Sequence, residues 1–482
     1  MNNFKDYLEA NGEVGEVEQV FSSIVYATGL PKLKPNEVVV FENGQLGQVI
    51  SIQSDRSQIL ILSHELVRVG EKIARTGESL SINISDEILG RVVDCLGNPL
   101  DGKKNAFGGE KRKIDVAPLK LKDRSLVTDP IETGVSLVDL LIPIGKGQRE
   151  LVIGDRKTGK TKFFIKTIMN QTRKGNICIY ASIGKKIIEI KEMLEALESK
   201  EARANTVIVA TSAADAPGLV FITPYTAMAI AEYFRDKGRD VVIFFDDLTN
   251  HAIYYREISL LARRFPGRSS YPGDVFYIHS KLLERAGNFA KGSITAFPVA
   301  ESIMGDISGY IQTNLMSITD GHVFFDTELS NLGRRPAINP FLSVTRVGQQ
   351  AQTNLVRELS HELSSFLVTL ERLRDFEHFG AELSEDIIQK LALGDRVLNF
   401  FDQPRDVVPI NVSVLIVSML WIGSWRNQNV KDIKLKYGKM IDDYNLNGAF
   451  RKNIDDLISK SNSFQEMLNN IRERNYGQEN YY

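Results

Sequence analysis

Apolar positions along this chain fall into three regimes. Up to about residue 76 they form short runs, at 17–25, 37–42, 46–52, 59–62 and 72–75, separated by Gly, Asn and Ser-Asp signals. Short strands at regular spacing between turn residues predict a small β-barrel. From about residue 79 to 350, nearly continuous apolar runs alternate with helical segments. The runs lie at 151–154, 177–181, 207–210, 241–245, 293–297 and 315–318, with helices such as 160–170 and 225–237 between several of them. Strands without polar alternation are buried on both faces, so this region predicts a parallel α/β sheet with crossover helices. From about residue 351 the pattern is helical, poor in glycine and amphipathic towards its charged end, with Pro404 and Pro409 breaking it into groups. The expected organisation is multidomain: an N-terminal β-barrel over 1–78, a central α/β domain over 79–352 and a C-terminal α-helical domain over 353–482.

Composition narrows the class. A chain of 482 residues suits about three ordinary domains, and its net charge of −2 argues against nucleic acid or a membrane surface as the main partner. Cys95 and Cys178 are the two cysteines and lie far apart, which fits a reducing cytosol and no disulfide framework. Residues 1–6 show no apolar signal region. The longest apolar run, 410–423, contains Asn411 and two serines and is too short to span a bilayer, so it reads as a core helix. The six histidines show no metal-ligand spacing.

The most informative stretch is Arg149-Glu150-Leu151-Val152-Ile153-Gly154-Asp155-Arg156-Lys157-Thr158-Gly159-Lys160-Thr161. An apolar strand runs into GxxxxGKT and then into a helix, the context that makes this pattern a phosphate-binding P-loop. Gly154 and Gly159 let the backbone turn its N–H groups towards phosphate oxygens. Lys160 reaches the β- and γ-phosphates, and the Thr161 hydroxyl suits Mg²⁺ at the helix N-terminus. The candidate nucleotide-binding set is Gly154, Asp155, Arg156, Lys157, Thr158, Gly159, Lys160 and Thr161, for ATP or ADP with Mg²⁺. A second candidate is the apolar strand 241–245 ending in Asp246 and Asp247. At such a strand end an Asp can hold the water shell of Mg²⁺. The plainer reading is a pair of N-caps for the next helix.

With these residues in place the chain resembles the alpha subunit of F-type ATP synthases over nearly its whole length. The resemblance runs through Thr28-Gly29-Leu30 and Leu89-Gly90-Arg91-Val92-Val93, then through residues 142–150, 232–236 and 263–268. It continues through 271–277, 282–286, Ile318-Thr319-Asp320-Gly321 and Arg335-Pro336-Ala337-Ile338-Asn339. GDRxTGKT is the alpha-type form of the P-loop. The resemblance implies a RecA-like nucleotide-binding core in a hexamer that alternates alpha-type with beta-type catalytic chains around a gamma-type central stalk. It implies a peripheral complex at the inner, cytoplasmic face of the cell membrane, without nucleic acid.

The resemblance also implies that this chain binds nucleotide without cleaving it. Catalytic beta subunits carry a water-positioning Glu where this chain has Lys185, in Ser182-Ile183-Gly184-Lys185-Lys186. Alpha subunits usually carry Gln there. A protonated Lys neutralises phosphate charge but accepts no proton from water. A plainer role for Lys185 is pairing with Glu189 one helical turn on. Arg346, in Leu342-Ser343-Val344-Thr345-Arg346-Val347-Gly348, matches the arginine finger that alpha subunits offer to the neighbouring catalytic site. Thr345 stands where the family usually has Ser.

The chain departs from the pattern in places. About a dozen residues precede Gly12-Glu13-Val14, where ordinary alpha subunits carry a longer extension, so a delta-type peripheral-stalk contact through this end is not expected. In the adenine region Gln403 is retained, but Pro404 and Arg405 replace Gly-Gln, and Gln312 replaces a usual Pro. With its Asn-, Lys-, Ile- and Phe-rich usage, the chain resembles a divergent, mollicute-type F-type-like ATPase. Other readings stay open at this point. One is a catalytic subunit of an export-like or helicase-like hexameric ATPase, which would need a Glu near Lys185. Another is a subunit of an F-type-like ATPase devoted to a surface machine and not to ATP synthesis.

Overall fold

The computed structural model describes residues 4–104, 108–199, 201–378, 384–402, 407–426 and 428–474. The chain forms two compact units. The first comprises Met1–Ser125, Thr172–Ser302 and Asp306–Thr319; the second comprises Leu126–Gln171, Ile303–Gly305 and Asp320–Tyr482.

The first unit opens with a closed six-stranded antiparallel barrel built from Val14–Phe21, Ile24–Thr28, Glu37–Phe41, Leu46–Ile52, Ser57–Ile61 and Lys72–Ser79. Alternate residues such as Val25 and Ala27, Val39 and Phe41, and Ile59 and Ile61 fill its interior, because side chains two apart share one face of a strand. The apolar run 17–25, expected as one strand, is a hairpin. Phe21 pairs with Ile24, and Ser22 turns the chain with a φ of +52°. A two-residue Ser-Ser turn lacks the Gly or Asn that usually marks such a reversal. The helix Phe4–Asn11 lies on the barrel, where Phe4, Tyr7 and Leu8 join Val40, Leu46 and Ala74 in one cluster.

The same unit carries a parallel sheet in the order Ser293–Glu301, Val241–Asp246, Ile177–Lys185, Thr206–Ser212 and Val92–Val93. Four of the predicted apolar strands, at 177–181, 207–210, 241–245 and 293–297, are here and buried, as strands covered on both faces must be. The helix Pro217–Asp236 starts with Pro at its first turn, where a missing N–H costs nothing, and is buried along most of its length. The run 315–318, expected as a strand, belongs instead to the helix Tyr310–Ile318, with Ile311 and Leu315 buried one turn apart. Two stretches that carry the family resemblance are bonded to each other. Glu232 accepts two hydrogen bonds from the buried Arg285 guanidinium, at 3.0 and 2.6 Å, and Arg285 also donates to the Ile114 carbonyl at 2.7 Å.

Two buried histidines sit in this unit. His251 Nε2 is 3.0 Å from the Phe221 carbonyl, which can only accept, so its Nδ1 must accept from His279 Nε2, 3.1 Å away. Burial lowers the pKa of His251 to about 4 and that of His279 well below its usual value. The unfolded chain takes up protons near pH 6.5 while the folded pair resists them. The pair's contribution to stability is therefore complete above about pH 6.5 and shrinks as pH falls towards 4. By pH 4.5 His251 alone should account for a loss of about 2–3 kcal/mol, and His279 adds to it. Melting curves between pH 7.5 and 4.5 check this, and His279→Gln should flatten the slope between pH 6.5 and 4.5.

In the second unit, Glu150–Gly154 pairs in parallel with Gly321–Phe325, which pairs antiparallel with Val344–Thr345. Gly321–Phe325 is a strand that the apolar pattern did not single out. The rest of the unit is largely helical: Asn354–His378, Glu385–Phe401, Ile410–Trp421, Val430–Leu446, Gly448–Ser459 and Phe464–Glu473. Ile410–Trp421 is the expected core helix, buried from Val412 to Leu420. Its Trp421 meets Phe366 and Phe464 edge-on. Among the described residues, no helix is long and apolar enough to cross a membrane.

Candidate functional site

The candidate P-loop joins the buried strand Glu150–Gly154 to the helix Lys160–Arg173. A Cβ on Gly154 would stand 2.5 Å from the Phe325 carbonyl oxygen, so only glycine allows the strand to leave the sheet there. Gly159 has a φ of +107° immediately before the helix, a conformation that side chains resist. The Thr158 hydroxyl donates to the Asp155 carbonyl at 2.8 Å and closes the turn. Lys160 Nζ donates to the carbonyls of Gly154 and Asp155, at 2.7 and 2.6 Å. The loop thus holds its own ammonium, at the head of a helix whose first turn has N–H groups without helical acceptors. Arg156, Lys157 and Thr161 are exposed.

Asp155, expected on the phosphate side, has its carboxylate turned to the protein. It accepts from Thr327 Oγ1 at 2.8 Å and from the Gly305 N–H at 3.1 Å. Beneath the loop, Arg149 is clamped to Asp320 by side-chain bonds of 3.1 and 2.8 Å and a backbone bond of 2.9 Å. That clamp ties the start of the P-loop strand to the start of its neighbour.

Asp320 also fixes the segment that carries Arg346, whose backbone N–H donates to the Asp320 carbonyl at 3.0 Å. The Thr345 hydroxyl donates to the Pro143 carbonyl at 2.8 Å and accepts from the Gly348 N–H at 3.2 Å. Either Thr or Ser supplies that hydroxyl. The Arg346 side chain is exposed, and among the described residues its guanidinium makes no hydrogen bond or ion pair. Nearby, Glu150 is fully buried, with one carboxyl oxygen bonded to Gln148 Nε2 at 2.7 Å. Burial pushes its pKa well up, against the weaker pull of Gln148 and of Arg346.

A cavity of about 150 Å³ opens in the same unit among Pro336, Phe341, Leu367, Phe401, Arg335 and Asp402. Asp402 Oδ1 accepts from the Arg335 N–H at 2.9 Å. In the sequence the Arg335-Pro336 stretch carries resemblance only, and nothing in its spacing marks a cavity. Gln403, Pro404 and Arg405 lie outside the described residues.

In the first unit, Lys185 and the two aspartates form a separate cluster. Asp247 caps the helix Leu248–Leu261 by accepting from the Asn250 N–H at 2.6 Å, as the plainer reading expected. Asp246 does not cap; it accepts from the Tyr180 hydroxyl at 2.5 Å. Lys185 Nζ lies 2.8 Å from Asp246 and 2.9 Å from Asp247, in place of the pairing with Glu189. Burial alone would pull the Lys185 pKa down, but the two carboxylates outweigh it and push it above its ordinary value. Burial likewise raises Asp247, against the Lys185 charge. The ammonium keeps its proton and offers no base.

The profile of the ATP synthase alpha/beta family, nucleotide-binding domain, matches residues 134–345. ATP synthase subunit alpha of Neorickettsia sennetsu (strain ATCC VR-367 / Miyayama) is 40% identical over 463 residues, 93% of this chain and 91% of the relative. The subunit of that name from Rickettsia bellii (strain OSU 85-389) is 41% identical over 420 residues, 84% of this chain and 82% of the relative. That of Sulfurovum sp. (strain NBC37-1) is 41% identical over 423 residues, 86% and 84%. Strand, P-loop, helix and the Asp320–Arg346 segment together with full-length relatives of this kind lead to one conclusion: the chain belongs to the ATP synthase alpha/beta family, on its alpha-subunit side.

Proposed function

We propose that this chain is the nucleotide-binding, non-catalytic alpha-type subunit of a rotary ATPase. Its relatives carry the name ATP synthase subunit alpha, which supports assembly with beta-type catalytic chains around a gamma-type stalk. In this reading the complex is peripheral, at the inner face of the membrane. ATP or ADP is the ligand. The P-loop backbone and Lys160 hold its phosphates, and Thr161 is the residue that would ligate Mg²⁺ when it is bound. Gln403 and the Arg335-Pro336 cavity serve the base.

The observation that carries the non-catalytic part is the Lys185 ion pair. A γ-phosphate is cleaved when a group takes or directs the proton of the attacking water, and at the sequence position of that group this chain has an ammonium held by two carboxylates, which accepts no proton. The same observation weighs against an export-like or helicase-like catalytic ring. Turnover then comes through a neighbour, and the exposed Arg346 is the group offered to it, because a guanidinium stabilises charge spreading over a transferred phosphoryl group. The isolated chain should bind ATP in a calorimetric titration yet release almost no phosphate over hours. Purification of the native complex should bring a beta-type chain with it. Brisk hydrolysis by the isolated chain would overturn the reading.

A further inference from the structure

Asp155 joins the P-loop to two distant segments of the second unit. Its carbonyl accepts from the Thr158 hydroxyl at 2.8 Å and from Lys160 Nζ at 2.6 Å, so the turn of the loop and its ammonium hang on one peptide. Its carboxylate reaches the other way. Oδ2 accepts from Thr327 Oγ1 at 2.8 Å, and both oxygens share the Gly305 N–H, each 3.1 Å from the nitrogen. The two partners are held differently. Thr327 opens the helix Thr327–Asn331 just after the strand Gly321–Phe325, and Asp326 caps that helix by accepting from the Glu328 N–H at 2.7 Å. Ile303 and Met304, by contrast, are 78% and 93% exposed. Met304 has a φ of +55° and Gly305 a φ of +75°. A methionine in the left-handed region is held there against its own preference, and the Gly305 bond to Asp155 is a contact that holds this turn.

We propose that Asp155 is a positioning residue that couples the P-loop to the segment Ile303–Gly305, so that nucleotide on the loop holds Ile303 and Met304 in place and an empty loop releases them. The inference rests on the nucleotide-binding reading above and deepens it. A bound phosphate takes the loop's backbone N–H groups and a Lys160 donor as partners, which fixes the Asp155 peptide. A fixed carboxylate, anchored on its far side by Thr327, is the better acceptor for the Gly305 N–H. The segment thereby carries the occupancy of the loop to the surface. Coupling of this kind is reciprocal: whatever nucleotide does to the latch, the latch does to nucleotide affinity.

The test is amide hydrogen exchange of the full chain with and without ATP and Mg²⁺, alongside calorimetry, for the wild type and Asp155→Ala. In the wild type, ATP should slow exchange in peptides covering 303–305 about tenfold and leave the barrel strand Glu37–Phe41 unchanged. Asp155→Ala should reduce that slowing to less than about twofold and, by reciprocity, raise the dissociation constant for ATP about tenfold. A residue that only braces the fold would protect 303–305 equally with and without ATP. Wild-type slowing of less than about threefold overturns the proposal, as does slowing of equal size in the barrel. So does an Asp155→Ala chain that keeps the wild-type ATP effect or an affinity within about twofold of the wild type's. If Asp155→Ala does not fold, the wild-type exchange decides alone. Absence of ATP binding to the wild type in calorimetry would instead sink the nucleotide-binding reading, and this inference with it.

Discussion

Arg346→Ala should lower steady-state ATP hydrolysis by the assembled complex about a thousandfold or more, a loss of about 4 kcal/mol of transition-state stabilisation. The expectation follows from two features of this chain. In the function proposed above, Lys185 stands at the sequence position of the water-positioning group, and its ammonium is held by Asp246 and Asp247. Its Arg346 is exposed on a segment held firmly by the Asp320 carbonyl and by the Thr345 hydroxyl against Pro143. A guanidinium on a rigid support loses little freedom when it meets a developing charge. Removing it should leave this chain's own ATP affinity within about twofold of the wild type. Arg346→Lys should rescue little, because an ammonium lacks the planar fork that addresses two oxygens at once. Hydrolysis rates of wild-type and both variant complexes, with calorimetry on the separate chains, give the comparison. A near-normal Arg346→Ala complex would remove the finger from this chain.

Lys160→Ala should weaken ATP binding to this chain by about 10- to 100-fold, since a charge-assisted contact to phosphate contributes about 1.5–3 kcal/mol. Lys160 also bonds to the Gly154 and Asp155 carbonyls, so its loss could loosen the loop itself. A melting curve separates the two effects. The loop stays anchored through Thr158 and through Asp155 with Thr327 and Gly305, so the melting temperature should shift by a few degrees at most. Undiminished affinity in the variant would place the phosphates elsewhere.

Much of the candidate site was legible because it is local. Gly154, Gly159, Lys160 and Thr161 lie within one turn between a strand and a helix, and spacing alone dictates such a loop. The role of Asp155 was not legible, since its partner Thr327 is 172 positions away. Resemblance marks Arg346 as a candidate, but the support of its segment by Pro143 and Asp320 is not legible in the sequence.

For the fold, the pattern of apolar positions determined the order of barrel, α/β core and helices, because a period of two, an unbroken apolar run and a period near 3.6 each bury a different face. It failed where the signal was short or unmarked. The four-residue run 315–318 fits a strand or a helix equally well, and only packing of Ile311 and Leu315 chose the helix. The turn at Ser22 carried no glycine to announce it. The Lys185 cluster is the clearest case of what tertiary structure alone decided. Lys185 and Asp247 are 62 residues apart, and they meet because Ile177–Lys185 and Val241–Asp246 pair as neighbouring parallel strands, with Ser182 opposite Asp246. Residue type told that position 185 holds a cation and no base. Which carboxylates that cation neutralises depends on strand order, a long-range property that no local spacing encodes.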